Sequence, residues 1–341
     1  MHGNEKTSAE ISETGLGDED YVLAEVVQRP GATAASPQEP RQSRPPPIRR
    51  RRVKLPLILF LITCLSTFFA GAVGWIPTLE PMPIRRAILS QWQDGLIYMA
   101  CILAILLTHE MGHFLVTLRY RIPASLPYFV PFPISPVGTM GAVIGMDGRR
   151  ADRREMFDIG LAGPLAGLFV AVPILLVGIQ QLDLSAPGHG LYRLDLPLYV
   201  RWTLQANPPP GYHLDGVAAD QIWCSHLNPY FMAGWVGLLI TGLNMMPVSQ
   251  LDGGHVVYAL FGRRSRWIAR GFMVAAIAYM TVTQTWDRWA LMMVLIFLIG
   301  IHHPPTRDDS VKLGWLRIAV GLASLAIPLL CFPPQVLHIV E

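Results

Sequence analysis

The chain has 341 residues, of which 52% are apolar and only 15% charged, against roughly 25% charged in soluble domains, which argues against a soluble enzyme. A net charge of +3 gives no footing to a nucleic-acid partner, and the placement of the positive charges matters more than their sum. Four scattered cysteines (Cys64, Cys101, Cys224 and Cys331) form no CxxC pair, so neither a disulfide framework nor a thiolate zinc site is indicated.

Residues 1–52 read as a disordered cytoplasmic N-terminal region. Acidic residues come first (Glu5, Glu10, Glu13, Asp18, Glu19, Asp20, Glu25), then proline and arginine up to Arg52. Such a stretch has little apolar surface to offset ordering entropy. The acidic start is unlike an organelle transit peptide, and no cleavable signal peptide begins at Met1.

A helix needs about 20 apolar residues to cross the hydrocarbon. Residues 55–78, 95–118, 159–182, 227–251 and 318–337 have that length. Residues 271–286 and 289–301 are shorter and parted only by Asp287 and Arg288, as in a tight helical hairpin. The expected fold is therefore an all-α polytopic membrane protein of about seven transmembrane helices. A membrane domain over 53–337 follows, with a catalytic core at about 95–262 and an exterior loop at 183–226. At 44 residues that loop is short for a domain of its own. The proline- and glycine-rich stretch 127–146, between helices two and three, is not helical by pattern. It is expected to be a short β-like or re-entrant segment, which needs protein or water to cover its backbone at membrane depth.

Arginine and lysine cluster before span one (Arg49 to Lys54), between spans two and three (Arg119, Arg121, Arg149, Arg150, Arg153, Arg154) and between spans four and five (Arg263, Arg264, Arg266, Arg270). The positive-inside tendency then puts the N-terminus in the cytoplasm and the C-terminus outside. The expected location is a bacterial cytoplasmic membrane. Trp75, Trp286, Trp289 and Trp315 fall near span ends, where an aromatic belt accounts for them.

Span two carries His109, Glu110, Met111, Gly112 and His113. Residues four apart share a helix face, so both imidazoles can bind one Zn²⁺ while Glu110 reaches the water the ion activates. Ionisable groups inside a span each cost about 2.5–3.5 kcal/mol on insertion scales, so a chance occurrence there is disfavoured. The bland alternative is a hydrogen-bonded polar cluster that holds helices together. Two histidines leave a catalytic zinc site one protein ligand short. Asp252 is the carboxylate near the end of span four, where Pro247, Gly253 and Gly254 break the helix. Broken helices bring polar groups to mid-membrane sites. His109 lies about 21 Å along its helix from Gly95, and Asn244 about 20 Å from Phe231, at 1.5 Å per residue. The competing reading of Asp252 is an N-cap. Gly163 and Gly167 allow span three to pack closely on the metal-bearing helices. His255 reads equally as a support behind a ligand or as a solvated terminus. His302 and His303 read as interfacial.

These residues resemble the site-2 proteases, zinc metallopeptidases that cleave within the membrane. His109-Glu110-x-x-His113, Ala162-Gly163-Pro164 and Asn244-x-x-Pro247 followed by Leu251-Asp252-Gly253-Gly254 look like that family's motifs, in its order. The stretch 127–145 is similar to the branch with plant-plastid and cyanobacterial members. The resemblance implies His109, His113 and Asp252 as zinc ligands, Glu110 as general base, and Asn244 as a donor to substrate or to the developing oxyanion. The expected activity is hydrolysis of peptide bonds in membrane-spanning substrates, in contact with the lipid bilayer. The alternatives are a transporter or metal permease, since intramembrane His and Glu also mark ion pathways, and a non-catalytic scaffold that binds membrane helices.

Overall fold

In the computed structural model the described residues are 53–75, 84–214, 216–248, 250–286, 289, 293–294, 296, 303, 306–333 and 335–340. The N-terminal stretch 1–52 and most of the expected sixth span lie outside them.

The long helices are α1 (Lys54–Ala72), α2 (Ile84–Arg119), with non-helical backbone at Gln91, and α3 (Arg153–Gln180). Lys54–Ala72, Gln91–Arg119 and Arg153–Gln180 are long and apolar enough to cross a membrane. Their surfaces are inverted relative to a soluble protein. Leu65 of α1 is 71% exposed while Thr63 and Thr67 of the same helix are 0% exposed. Apolar side chains outside and polar ones inside are what a hydrocarbon solvent selects. Each buried threonine satisfies its hydroxyl on a helix carbonyl one turn back, Thr63 on Leu59 and Thr67 on Thr63.

The start of α3 is written in the sequence. Asp152 accepts from the backbone of Arg154 and Glu155, and Glu155 accepts in return from the Asp152 backbone at 2.8 Å, a complete capping box.

Stretch 127–146 contains an antiparallel hairpin, β1 (Tyr128–Phe132) and β2 (Gly138–Val143), with an irregularity between Phe129 and Pro131. Its turn is covered by protein. Ser66 of α1 donates to the Gly138 carbonyl at 2.6 Å, and the buried Tyr98 of α2 donates to the Val137 carbonyl at 2.8 Å. Those two donors satisfy carbonyls that lipid could not.

The expectation of an all-α chain is corrected by a second sheet. Strands β3 (Tyr192–Asp195), β4 (Gln221–Trp223) and β5 (Leu337–Ile339) pair antiparallel in the order β4-β3-β5. A short helix, α4 (Leu198–Ala206), lies between β3 and β4. The segment 183–226 is thus completed by the far end of the chain, which places residues 337–339 and 192–195 on one side of the helices. Tyr192 donates to the Trp75 carbonyl at 3.0 Å and seats the sheet on the end of α1.

Expected span four divides in two. Helix α5 (Pro229–Asn244) is capped by Asn228, and after a break α6 (Asp252–Phe261) begins. Helix α7 (Ser265–Thr283) follows. Expected span seven is likewise broken, into α8 (Trp315–Ser324) and α9 (Ile327–Cys331), before β5. Trp75 and Trp289 are buried rather than interfacial, at 4% and 9% exposure, while Trp286 and Trp315 are exposed. Trp75 packs edge-on against Tyr98.

Candidate metal centre

Helix α2 brings His109, Glu110 and His113 into the middle of the helix packing, where they are 3%, 4% and 6% exposed. The four-residue spacing puts both imidazoles on one face. Their Nε2 atoms lie 3.2 Å apart. Asp252, the first residue of α6, presents Oδ2 to His109 Nε2 at 3.2 Å and Oδ1 to His113 Nε2 at 3.3 Å. These three residues form the one candidate cation-binding group among the described residues.

The fit to zinc can be tested on these distances. A tetrahedral ion held at about 2.0–2.1 Å by each ligand separates the ligand atoms by about 3.3 Å. The 3.2 Å between the two imidazole nitrogens matches that edge, and the Asp252 carboxylate meets each nitrogen with a different oxygen, Oδ2 at 3.2 Å from His109 and Oδ1 at 3.3 Å from His113. The donor set, two imidazoles and a carboxylate, is a normal catalytic zinc set with room for one more position.

The tautomer of His113 supports the same assignment. Its Nδ1 lies 2.8 Å from the Ile159 carbonyl. A carbonyl only accepts, so Nδ1 carries the proton and the neutral ring presents the Nε2 lone pair to Asp252 and His109. The sequence did not reveal Ile159, because any helix carbonyl could serve and no residue type marks it.

Helix α3 makes room for the two rings. A methyl group at Gly163 would overlap the His113 imidazole, and one at Gly167 would lie 3.0 Å from His109 Nδ1. The small residues expected to let this helix pack closely on α2 are therefore the sockets of the two histidines. Asp252 is inside the helix rather than its N-cap, which is Leu251. Its carboxylate faces the imidazoles instead of capping.

Asn244 is the last residue of α5, and its Nδ2 lies 3.4 Å from His109 Nε2. The five sequence-selected residues, His109, Glu110, His113, Asn244 and Asp252, all line one cavity of about 160 Å³. Ala142 and Val143 of β2 and Ile144 just beyond it line the same cavity, as does His255. His303 lies 2.6 Å from His255 and stacks on Tyr258. His302 lies outside the described residues. His213 and His226 line a different cavity.

Comparison with known proteins agrees with this geometry. Residues 97–285 match the model of the family described as Peptidase family M50. The chain is 30% identical over 316 residues to the protein named probable zinc metalloprotease EGY1, chloroplastic, of Arabidopsis thaliana, covering 85% of this chain and 55% of that one. Its rice counterpart (Oryza sativa subsp. japonica) is 28% identical over 311 residues, or 86% of this chain and 52% of the other. The protein named probable zinc metalloprotease EGY2, chloroplastic, of Arabidopsis thaliana is 29% identical over 245 residues, 71% of this chain and 42% of that one. The chain thus spans about half the length of the curated relatives it matches. Those names place the relatives in the chloroplast, so the expected bacterial membrane finds no support in them. No solved structure matches.

Proposed function

The chain belongs to peptidase family M50, and from that premise we propose that it is an intramembrane zinc metalloendopeptidase acting on membrane-embedded protein substrates. The observation that carries this reading is the pair of imidazole nitrogens 3.2 Å apart, each met by one oxygen of the Asp252 carboxylate at 3.2–3.3 Å, beside a buried Glu110.

His109, His113 and Asp252 would hold the ion. Zinc, when bound, supplies Lewis acidity that makes a water molecule a usable nucleophile near neutral pH. Glu110 follows His109 on α2 and lines the same cavity. As a carboxylate it accepts the attacking water's proton and returns it to the leaving amine nitrogen, the task of a general base turned acid. Asn244 carries two amide hydrogens at the end of α5 and serves as a donor to the carbonyl oxygen as charge develops there. The near-complete burial of the three α2 residues strengthens each of these interactions by keeping the local dielectric low.

A peptide bond within a transmembrane helix is hydrogen-bonded and shielded, so the substrate has to be extended before water can attack it. Strand β2 offers the means. It lines the cavity through Ala142 and Val143 and pairs with β1 on one side, so a substrate segment can add along its other edge. Residues 95–262 would then form the catalytic core. The arginine-rich loops would face the side of the N-terminus, and the sheet of β3, β4 and β5 the opposite side.

The decisive experiment measures zinc content and cleavage of a single-span model substrate with Glu110→Gln. The amide cannot accept the proton but leaves the three ligands in place. Zinc is expected at the wild-type level and cleavage at background. Near-wild-type cleavage by this variant would overturn the hydrolytic reading and favour a permease or scaffold.

A further inference from the structure

His255 is a partly buried residue of the candidate site that the mechanism above does not use. It sits one turn beyond Asp252 on α6, a spacing that keeps two side chains on one helix face, and it lines the cavity that holds Glu110 and the three ligands. Its Nδ1 is 2.6 Å from His303 Nε2, with the two rings nearly perpendicular at 84°. His255 Nε2 has no hydrogen-bond partner among the described residues.

His303 is itself held in place. Tyr258, three residues beyond His255 on α6, stacks on its ring at 4.2 Å and 17°. The Tyr258 hydroxyl donates to Asp309 at 2.8 Å, and Asp309 also accepts from Thr306 at 2.6 Å. The segment around residues 307–308 is tied to the start of α3 and the chain just before it by backbone bonds from Arg153 to Asp308 and from Arg307 to Ala151. On the other side, Gly160 of α3 leaves only enough room for the His255 Cβ, since a methyl there would lie 2.7 Å from it. The His255 ring is thus located from two directions.

A neutral imidazole carries one proton, and the partner of one nitrogen decides which nitrogen has it. We propose that His303 donates its Nε2–H to His255 Nδ1 and so fixes the His255 proton on Nε2. There it donates a hydrogen bond to the carbonyl oxygen of the scissile bond. His255 is then a catalytic residue acting from α6 while Asn244 acts from α5, and His303 is a positioning residue. The inference rests on the metallopeptidase reading and deepens it.

The test uses the full chain in lipid nanodiscs, a single-span model substrate, and zinc content with thermal unfolding as readouts independent of cleavage. His255→Ala is expected to keep its zinc and lose about 10²–10³-fold in kcat, the effect of removing one oxyanion donor, with KM changed much less. His255→Gln, which keeps a donor, is expected to recover part of that loss. The two His303 variants separate tautomer control from packing. His303→Gln retains an N–H donor and is expected near the wild-type rate. His303→Glu in its ionised form can only accept, which moves the His255 proton to Nδ1 and lowers kcat toward the His255→Ala value. Wild-type kcat in zinc-loaded His255→Ala overturns the proposal. So does a loss of zinc in step with the rate in both His255 variants, which would make His255 a support for the metal ligands. Equal rates for His303→Gln and His303→Glu overturn the positioning role. A zinc-loaded wild type that cleaves no membrane substrate fails the metallopeptidase reading itself and removes this proposal with it.

Discussion

Asn244 and His109 are 135 residues apart in the chain, yet the amide nitrogen of one lies 3.4 Å from the ring nitrogen of the other. The contact exists because α5 stops at Asn244 and the chain turns back, so that Asp252 starts α6 at the same level. A continuous helix would have carried Asp252 about 12 Å further on, at 1.5 Å per residue over eight residues, and out of reach of the histidines. The break therefore sets Asp252, the proposed third ligand, and Asn244, the proposed amide donor, beside the same histidine.

Asp252→Ala is expected to lower zinc content and activity together, because it removes the oxygens that face both imidazoles. Metal analysis of the purified variant checks this. Full zinc occupancy in it would mean that the third ligand lies elsewhere.

Asn244→Ala is expected to retain zinc and lose rate by about 10²–10³-fold, as for removal of an oxyanion donor. The side chain lies beside the proposed ligands and is not proposed as one of them, so the two readouts should part. If zinc falls with the rate, Asn244 supports His109 rather than the substrate.

Gly163→Ala tests the socket for His113. In a helix the exchange is favourable by about 1 kcal/mol in propensity alone, yet the added methyl overlaps the imidazole. Zinc affinity is expected to drop about 10-fold or more, the scale seen when groups that orient a ligand are removed. Competition with a chelator measures it. An unchanged affinity would show that the ring tolerates displacement.

The separate features were legible to different degrees for physical reasons. His109, Glu110 and His113 stand out because ionisable groups in an apolar span are costly, and their spacing fixes a shared face. The break before Asp252 was signalled by Pro247 and the glycine pair, whose backbone effects are local. The sheet of β3, β4 and β5 was not legible. Its strands have four, three and three residues, too few to display a period of two, and one of them comes from the far end of the chain. The contacts of His303 were not legible for the same reason, since its partners His255 and Tyr258 are about 48 residues away and nothing local points to them. The stretch 127–146 was recognised as non-helical, but the groups that cover the carbonyls of its turn, Ser66 and Tyr98, lie on other elements.

The pairing of β3 with β5 predicts the sidedness of the chain. Single cysteines at Arg193 and His338, which face each other in register, are expected to react with a membrane-impermeant thiol reagent from the same side. A cysteine at Arg150, in an arginine-rich loop, is expected to react from the opposite side. Labelling of intact and opened vesicles distinguishes them. Reaction of positions 193 and 338 from different sides is incompatible with the sheet.

Substrate addition to β2 leads to the last prediction. Val143 lies on β2, is 57% exposed and lines the cavity that holds His109, Glu110 and His113, whereas Phe169 on α3 is 81% exposed and is absent from that lining. In a chain whose four native cysteines are replaced, Val143→Cys is expected to form a disulfide with a cysteine placed next to the cleavage position of a model substrate. Phe169→Cys is expected to form none, because exposure to lipid alone does not bring a strand into register. The experiment is done with Glu110→Gln in the background, so that substrate accumulates uncut. Capture should move along the substrate in steps of two residues as the cysteine is shifted, since alternate side chains of a paired strand face the same way. A three- to four-residue periodicity in capture would mean that the substrate enters as a helix, and the added-strand mode would be excluded.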